Sequence, residues 1–134
     1  MSLSDEERRT LVRLELAKSK NTFSEVDALI QANLWNGAAN RLYYAVFHAV
    51  CGLLLHDGHQ VNTHQGSHAL FGLHYIKSGV LPVEYGILYG QLQTMRENSD
   101  YNCVYDVKPE ELQERIEPAR QMIHAIETLV ISHQ

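Results

Sequence analysis

The sequence has few of the residues that cross-link or interrupt a fold. Its 134 residues include two cysteines, three prolines and eight glycines. Cys51 and Cys103 are too few for a disulfide framework and too far apart for a CxxC redox or zinc motif. This scarcity of cysteine suits a reducing compartment, so we expect a cytoplasmic protein.

Positive charge and long apolar runs are also scarce. The chain has 16 acidic residues and 11 lysines and arginines, which gives a formal net charge of -5. Such a domain does not coat itself with nucleic acid by counterion release, so any contact with RNA needs a focused site or a basic partner. The longest apolar run, Leu42 to Leu55, is interrupted by His48 and is too short to span a bilayer. The charged segment MSLSDEERRT contains no apolar signal region, so we expect no membrane association.

The remaining pattern is helical along nearly the whole chain. It predicts an all-α fold, a four- to five-helix antiparallel up-and-down bundle in a single domain, residues 1–134. Ser4 and Glu7 form a capping box that starts the first helix. This helix runs to about Leu34 or breaks near Asn21, and the two alternatives stay open.

Turn and cap signals define the other helices. The segment Trp35-Asn36-Gly37 predicts a turn. The helix after it, about 38–55, is apolar nearly all round and should be the buried, central helix. Pro118 predicts a kink in the last helix or a later start for it. Caps at Gly79, Pro82 and Pro109 give three further helices, at about 64–77, 82–98 and 109–132, with DYNCVYDVKP as a loop.

The second helix carries a polar stripe within NRLYYAVFHAV. Arg41 and His48 lie on one face nearly two helical turns apart, with Tyr44 between them. An arginine on an apolar helix needs a carboxylate, a phosphate or a route to solvent. In one interpretation Arg41 pairs with a carboxylate such as Asp100, while Tyr44 and His48 are hydrogen-bonded packing residues. In the other, Arg41 binds a phosphate and His48 transfers a proton.

A second cluster, MRENSDY, lies near the end of the fourth helix. Arg96 and Asp100 have the i, i+4 spacing of a helical salt bridge, and Tyr101 follows them. In one interpretation this salt bridge only fixes the end of the fourth helix. Alternatively, Arg96 joins Arg41 at an anion site, where Tyr44, Asp100 and Tyr101 contact the phosphate or substrate.

Five histidines lie between residues 56 and 74, and two of them, His64 and His68, have the i, i+4 spacing of metal ligands. No HExxH motif and no zinc-type cysteine pair accompanies them, so we expect surface or loop histidines, no metal and no cofactor. The sequence also lacks GxGxxG, P-loop and GxSxG motifs. The histidines in question are His56, His59, His64, His68 and His74.

These segments together resemble the HEPN-domain family. NRLYYAVFHAVCGLLL is similar to a signature in which an arginine precedes YYAxFHAxxxLL, and HQGSHALFGLHYIKSGVL and MRENSDY resemble further blocks of the small prokaryotic members. The resemblance implies a helical bundle, usually a homodimer, that often acts with a small nucleotidyltransferase as a toxin–antitoxin pair. Active members resemble metal-independent ribonucleases that use a closely spaced arginine and histidine, which implies Arg41 and His48 as catalytic residues.

Three functions stay open on this basis. In the first, the chain is a ribonuclease toxin, in which His48 is acid or base at a 2′-hydroxyl and Arg41 stabilises the phosphorane. In the second, it is a non-catalytic nucleotide- or RNA-binding module. In the third, it is a structural partner of a nucleotidyltransferase. Two features depart from the family's nuclease pattern: Leu42 follows the arginine where a polar residue is usual, and MRENSDY contains no histidine.

Overall fold

Helices account for all the regular structure in the computed structural model, which describes residues 3–133. The predicted all-α bundle is therefore confirmed. Five α-helices follow one another, and a single π-helical turn extends the third. In chain order they are α1 (Asp5–Gln31), α2 (Trp35–His56), α3 (His64–Phe71) with its π-turn (Gly72–Ile76), α4 (Val83–Tyr101) and α5 (Pro109–Ser132).

The first helix begins as the capping box predicts. The Ser4 hydroxyl accepts from the Glu7 backbone N–H at 3.1 Å, and the Glu7 carboxylate accepts from the Ser4 N–H at 2.9 Å. The helix continues unbroken to Gln31, so the alternative of a break near Asn21 is wrong. Reciprocal capping satisfies two of the N–H groups that a helix start leaves free, and both partners are local. The motif alone was therefore enough to predict where α1 begins.

The turn after α1 lies earlier than predicted. Asn33 has a φ of 59°, in the left-handed region that asparagine tolerates better than most residues, and it reverses the chain. The segment predicted as a turn, 35–37, instead forms the first turn of α2. The short connection makes α1 and α2 antiparallel neighbours, and they pack closely along their length.

The second helix is the core of the bundle, as its all-round apolar pattern predicts. It packs against α1, α3, α4 and α5, and side chains such as Leu42, Tyr43 and Val46 are fully buried. Trp35–His56 is long and apolar enough to cross a membrane, but 67% of its most apolar window is buried within the bundle. A core helix shows this pattern because its neighbours cover it on every side.

The later helices differ from prediction mainly at their ends. Gly79, with a φ of 82°, closes the segment after the π-turn, as expected of a helix-ending glycine. Helix α4 extends to Tyr101, so Asp100 is helical and not part of a loop. Helix α5 begins at Pro109 and continues through Pro118, so a late start is wrong. The kink at Pro118 stays a prediction.

Candidate functional site

The ring of Tyr44 is the point where the predicted polar residues of α2 and α4 meet. The guanidinium carbons of Arg41 and Arg96 lie 5.3 and 5.6 Å from its centroid. The His48 ring is 6.3 Å away on the same α2 stripe. All three α2 residues are half-buried among fully buried neighbours, as the periodicity predicts. We call Arg41, Tyr44, His48, His64 and Arg96 the Tyr44 cluster.

His64 belongs to this cluster, although its sequence context suggested a surface or loop histidine. Thr63 caps α3 by accepting from the Gly66 N–H at 2.8 Å, which places His64 in the first turn of the helix. From there its ring lies 5.7 Å from that of Tyr44. The Thr63 cap is a signal that the sequence contains, but it gives the residue's position along α3 and not the helix that α3 meets.

A hydrogen bond between Tyr43 and Nδ1 holds the His64 ring in place. The Tyr43 hydroxyl lies 2.8 Å from His64 Nδ1. Burial raises the pKa of Tyr43 to about 12, so the hydroxyl keeps its proton; it donates to Nδ1 when His64 is neutral at that nitrogen and accepts from Nδ1–H when the ring is protonated there. Burial also lowers the pKa of His64, and the positive charge of Arg96 lowers it further. Nε2 is then the nitrogen left to face a ligand.

Arg96 is a buried cation with an incomplete set of partners. Only 6% of its side chain is exposed, and its guanidinium lies over the rings of Tyr43 at 4.9 Å and Tyr44 at 5.6 Å. Nη1 is 3.6 Å from Asp100 Oδ2, which confirms the predicted i, i+4 pair. Among the described residues, its Nε is the one buried side-chain nitrogen or oxygen without a hydrogen-bond partner. A buried donor in this condition is costly unless a ligand satisfies it.

Asn40 connects the two arginines through a chain of polar contacts. Its Nδ2 donates to both carboxylate oxygens of Asp100 at 3.3 and 3.2 Å. Its Oδ1 accepts from Nε and Nη2 of Arg41 at 3.0 and 2.6 Å. The interpretation that Arg41 pairs with a carboxylate is confirmed, but Asp100 as that carboxylate is wrong, because Asn40 lies between the two. The carboxylate nearest Arg41 is that of Glu25, at 3.7 Å.

His48 is oriented by a carboxylate of α1. Its Nδ1 lies 3.2 Å from Glu15 Oε1, and 21% of the histidine side chain is exposed. Because a carboxylate only accepts, Nδ1 carries the proton in this contact and Nε2 has the free lone pair. This is the arrangement in which a carboxylate sets the tautomer of a general base. Sequence reasoning did not identify Glu15 or Glu25, since nothing in α1 marks them.

A cleft of about 510 Å³ opens over Arg96. Tyr44, His64 and Arg96 line it, and Tyr101, which is 79% exposed, stands at its rim. Arg41 and His48 are not among its lining residues, so they contact Tyr44 from outside the cleft. The structure thus brings all six predicted site residues to one region, but it separates them. Tyr44, Arg96 and Tyr101 line the cleft, Arg41 and His48 lie on the adjacent α1–α2 face, and Asp100 contacts Arg96 and Asn40 without lining the cleft.

The other histidines of the 56–74 region have separate partners. His56 Nδ1 is 2.9 Å from Asp57 Oδ1, the rings of His59 and His74 stack at 4.0 Å, and His68 Nε2 is 3.4 Å from the carbonyl of Gly86. Within residues 3–133, no three His, Cys, Asp or Glu side chains are grouped closely enough to hold a metal ion.

Comparison with known proteins identifies a family that matches this chain. The sequence-family model of the HEPN domain matches residues 12–129 of this chain. A UPF0332 protein of Thermotoga maritima is 27% identical over 92% of this chain and 94% of its own length. Two proteins of Methanocaldococcus jannaschii, named "Putative toxin MJ0142" and "Putative toxin MJ0605", are 27% and 26% identical over 78% and 75% of this chain, and over 70% and 75% of their own lengths.

Proposed function

The chain belongs to the HEPN domain family, and from that premise we propose that it binds RNA at the Tyr44 cluster and cleaves it without a metal ion. One observation carries the proposal. Two arginines and two histidines lie within 6.3 Å of a single tyrosine ring. In a chain of net charge -5, this is the focused site that an acidic RNA-binding protein requires.

Arg96 is the residue best suited to hold the phosphate. Its guanidinium lies beneath an open cleft, its Nε lacks a partner among the described residues, and its pairing with Asp100 is long at 3.6 Å. Because Nε itself is fully buried, a phosphate in the cleft would form its charge-assisted hydrogen bonds with the terminal N–H groups of the guanidinium. The aromatic rings of Tyr44 and Tyr101 beside the cleft offer surfaces on which unpaired bases stack.

The two histidines supply the proton transfers that RNA cleavage needs. His48 Nε2 takes the proton from a 2′-hydroxyl as that oxygen attacks the adjacent phosphorus. The imidazolium of His64 donates a proton to the departing 5′-oxygen as the P–O5′ bond breaks, leaving a 2′,3′-cyclic phosphate and a 5′-hydroxyl. Arg41 and Arg96 stabilise the charge of the phosphorane. A low pKa makes the His64 imidazolium a stronger acid than a free one.

The test is cleavage of a mixed RNA pool by the purified protein in the presence of chelator. We expect cleavage to persist with chelator and to fall by about 10²–10⁴-fold in His48→Ala and His64→Ala, because each removes a proton-transfer group. His124→Ala, at an exposed position on α5, is the matched control and should cleave like the wild type. Melting curves of all three variants distinguish lost chemistry from lost folding. RNA that stays intact with folded wild-type protein would refute the catalytic proposal.

A second candidate, binding of RNA without cleavage, is favoured by one observation. Arg41 and His48 face the α1 carboxylates Glu25 and Glu15 and do not line the cleft over Arg96. If these pairs persist when RNA binds, only the phosphate-binding half of the site operates. The same pool then gives a complex of uncut RNA that is lost in Arg96→Gln.

The names of the M. jannaschii relatives support a toxin role, and the resemblance to the HEPN family implies a partner nucleotidyltransferase and a homodimer. Co-purification of the chain with the product of a neighbouring nucleotidyltransferase gene tests the first point. Light scattering tests the second, since a homodimer doubles the 15.3 kDa mass of one chain. A solitary monomer in both experiments would remove partner and dimer alike.

A further inference from the structure

A second cleft adjoins the one over Arg96. It has a volume of about 660 Å³ and lies between α3, α4 and the start of α5. Glu97 and Asn98 line both clefts, so the two are adjacent along α4. A chain that places a phosphate on Arg96 therefore has space beside it for a neighbouring nucleotide.

Amides are the most frequent polar groups in this second cleft. Gln65, Gln91, Gln93 and Asn98 line it, so it offers paired donors and acceptors. Gln93 is nine-tenths buried and donates to Glu97 Oε1 at 3.2 Å, which orients its amide. Such groups match the edges of bases, whereas phosphates are contacted mostly by cations and N–H donors.

The one arginine in the lining is already engaged. Arg115 Nε donates to Gln91 Oε1 at 3.3 Å, and Nη1 donates to the Glu111 carbonyl at 2.7 Å. These contacts hold the guanidinium against α4 and α5. The carboxylates of Glu97 and Glu111 also line the cleft and oppose a phosphate there.

A histidine ring borders the cleft next to a glycine. His68 lines the cleft beside Gly90, where an added Cβ would lie 3.4 Å from His68 Cε1. The glycine thus leaves that side of the imidazole uncovered by any side chain at this position. Tyr105 provides a second aromatic group in the lining. Unpaired bases in RNA sites stack on rings of this kind while their edges form hydrogen bonds.

We propose that this amide-lined cleft binds an unpaired adenine of the RNA whose phosphate lies on Arg96, an inference that rests on the function proposed above. A glutamine or asparagine amide can pair with adenine through two hydrogen bonds, one from the exocyclic amino group and one to a ring nitrogen. Carboxylates such as Glu97 and Glu111 accept from exocyclic amino groups. Uracil has no such group, so it should be the poorest occupant.

Fluorescence anisotropy on the full chain tests this assignment, with short labelled oligo(A) and oligo(U) whose 2′-hydroxyls are methylated so that they cannot be cleaved. We expect oligo(A) to bind about 10-fold or more tightly than oligo(U), the discrimination that one good bidentate pair provides. Gln65→Ala removes an exposed amide, and Gly90→Leu fills the cleft beside His68. Both should lower oligo(A) affinity to the oligo(U) level and leave oligo(U) binding unchanged. Gln113→Ala, exposed on α5 and outside the lining, should keep the preference.

The outcomes separate this inference from the function on which it rests. Arg96→Gln should weaken oligo(A) and oligo(U) equally, because a phosphate contact carries no base information. If wild type binds neither RNA, the proposed function fails and the adenine assignment fails with it. If wild type binds both equally, or if the preference survives in Gly90→Leu, the adenine assignment is overturned and RNA binding at Arg96 stands.

Discussion

Replacing Arg96 by methionine should strongly reduce RNA cleavage and leave the bundle folded at nearly its original stability. The guanidinium is buried with its Nε unpartnered among the described residues, a condition that costs about 1–3 kcal/mol. Methionine has a similar length, no polar hydrogen and a flexible chain that fills irregular space. The substitution therefore removes a destabilising feature of the folded state together with the charge.

Favourable contacts of Arg96 are lost at the same time. The interactions with the rings of Tyr43 and Tyr44 are together worth about 1–2 kcal/mol. The 3.6 Å pair with Asp100 adds about 1 kcal/mol at most, and Asp100 keeps its hydrogen bonds from Asn40. Gains and losses nearly cancel, so the free energy of unfolding should change by no more than about 1 kcal/mol.

Thermal unfolding and cleavage of the RNA pool, measured on the same preparation, check this. We expect Tm to shift by less than about 5 °C and cleavage to fall by about 10²–10³-fold, the usual effect of losing one group that stabilises transition-state charge. Arg120→Met is the matched control, because Arg120 also lies over an aromatic ring, that of Phe23 at 4.7 Å, but pairs with Glu117 and lines neither cleft. It should change neither quantity greatly. An Arg96→Met variant that cleaves like wild type, or that is destabilised by more than about 3 kcal/mol, would refute the reasoning.

Three further predictions address pH, the polar network and the backbone. Because the pKa of His64 is lowered on folding, the unfolded chain binds more protons there, so the His64 contribution to stability is lost as pH falls below about 6.5. Urea unfolding of wild type and His64→Gln at several pH values should show a steeper acid loss in wild type; equal slopes would contradict it. Asn40→Ala should cost about 1–2 kcal/mol in urea unfolding and reduce cleavage, because Arg41 and Asp100 both lose their shared partner, whereas unchanged cleavage would detach that network from function. Gly79→Ala should lower stability by about 1 kcal/mol because its φ is positive, while Gly72→Ala, with helical φ and an equally open surrounding, should raise it; a similar sign for both would contradict the backbone argument.

Features that depend on consecutive residues could be predicted from the sequence. The Ser4–Glu7 capping box starts α1 as expected, because both partners lie within one helical turn. The all-round apolar pattern of α2 identified the core helix, and the Arg96–Asp100 spacing identified their pair. The turn near Trp35 was misplaced because Asn33 had already reversed the chain, and either position satisfied the local pattern.

The sequence by itself determined the helices, the polar stripe of Arg41, Tyr44 and His48, and the family blocks, since periodicity and capping act over one or two turns. Only the tertiary structure decided which side chains surround Tyr44. The contacts that complete the site join residues 21, 33 and 60 positions apart: Tyr43 with His64, His48 with Glu15, and Asn40 with Asp100. Such pairs form because α2 packs against α1, α3 and α4, and the rotation of each helix about its axis is set by the whole core rather than by any local motif.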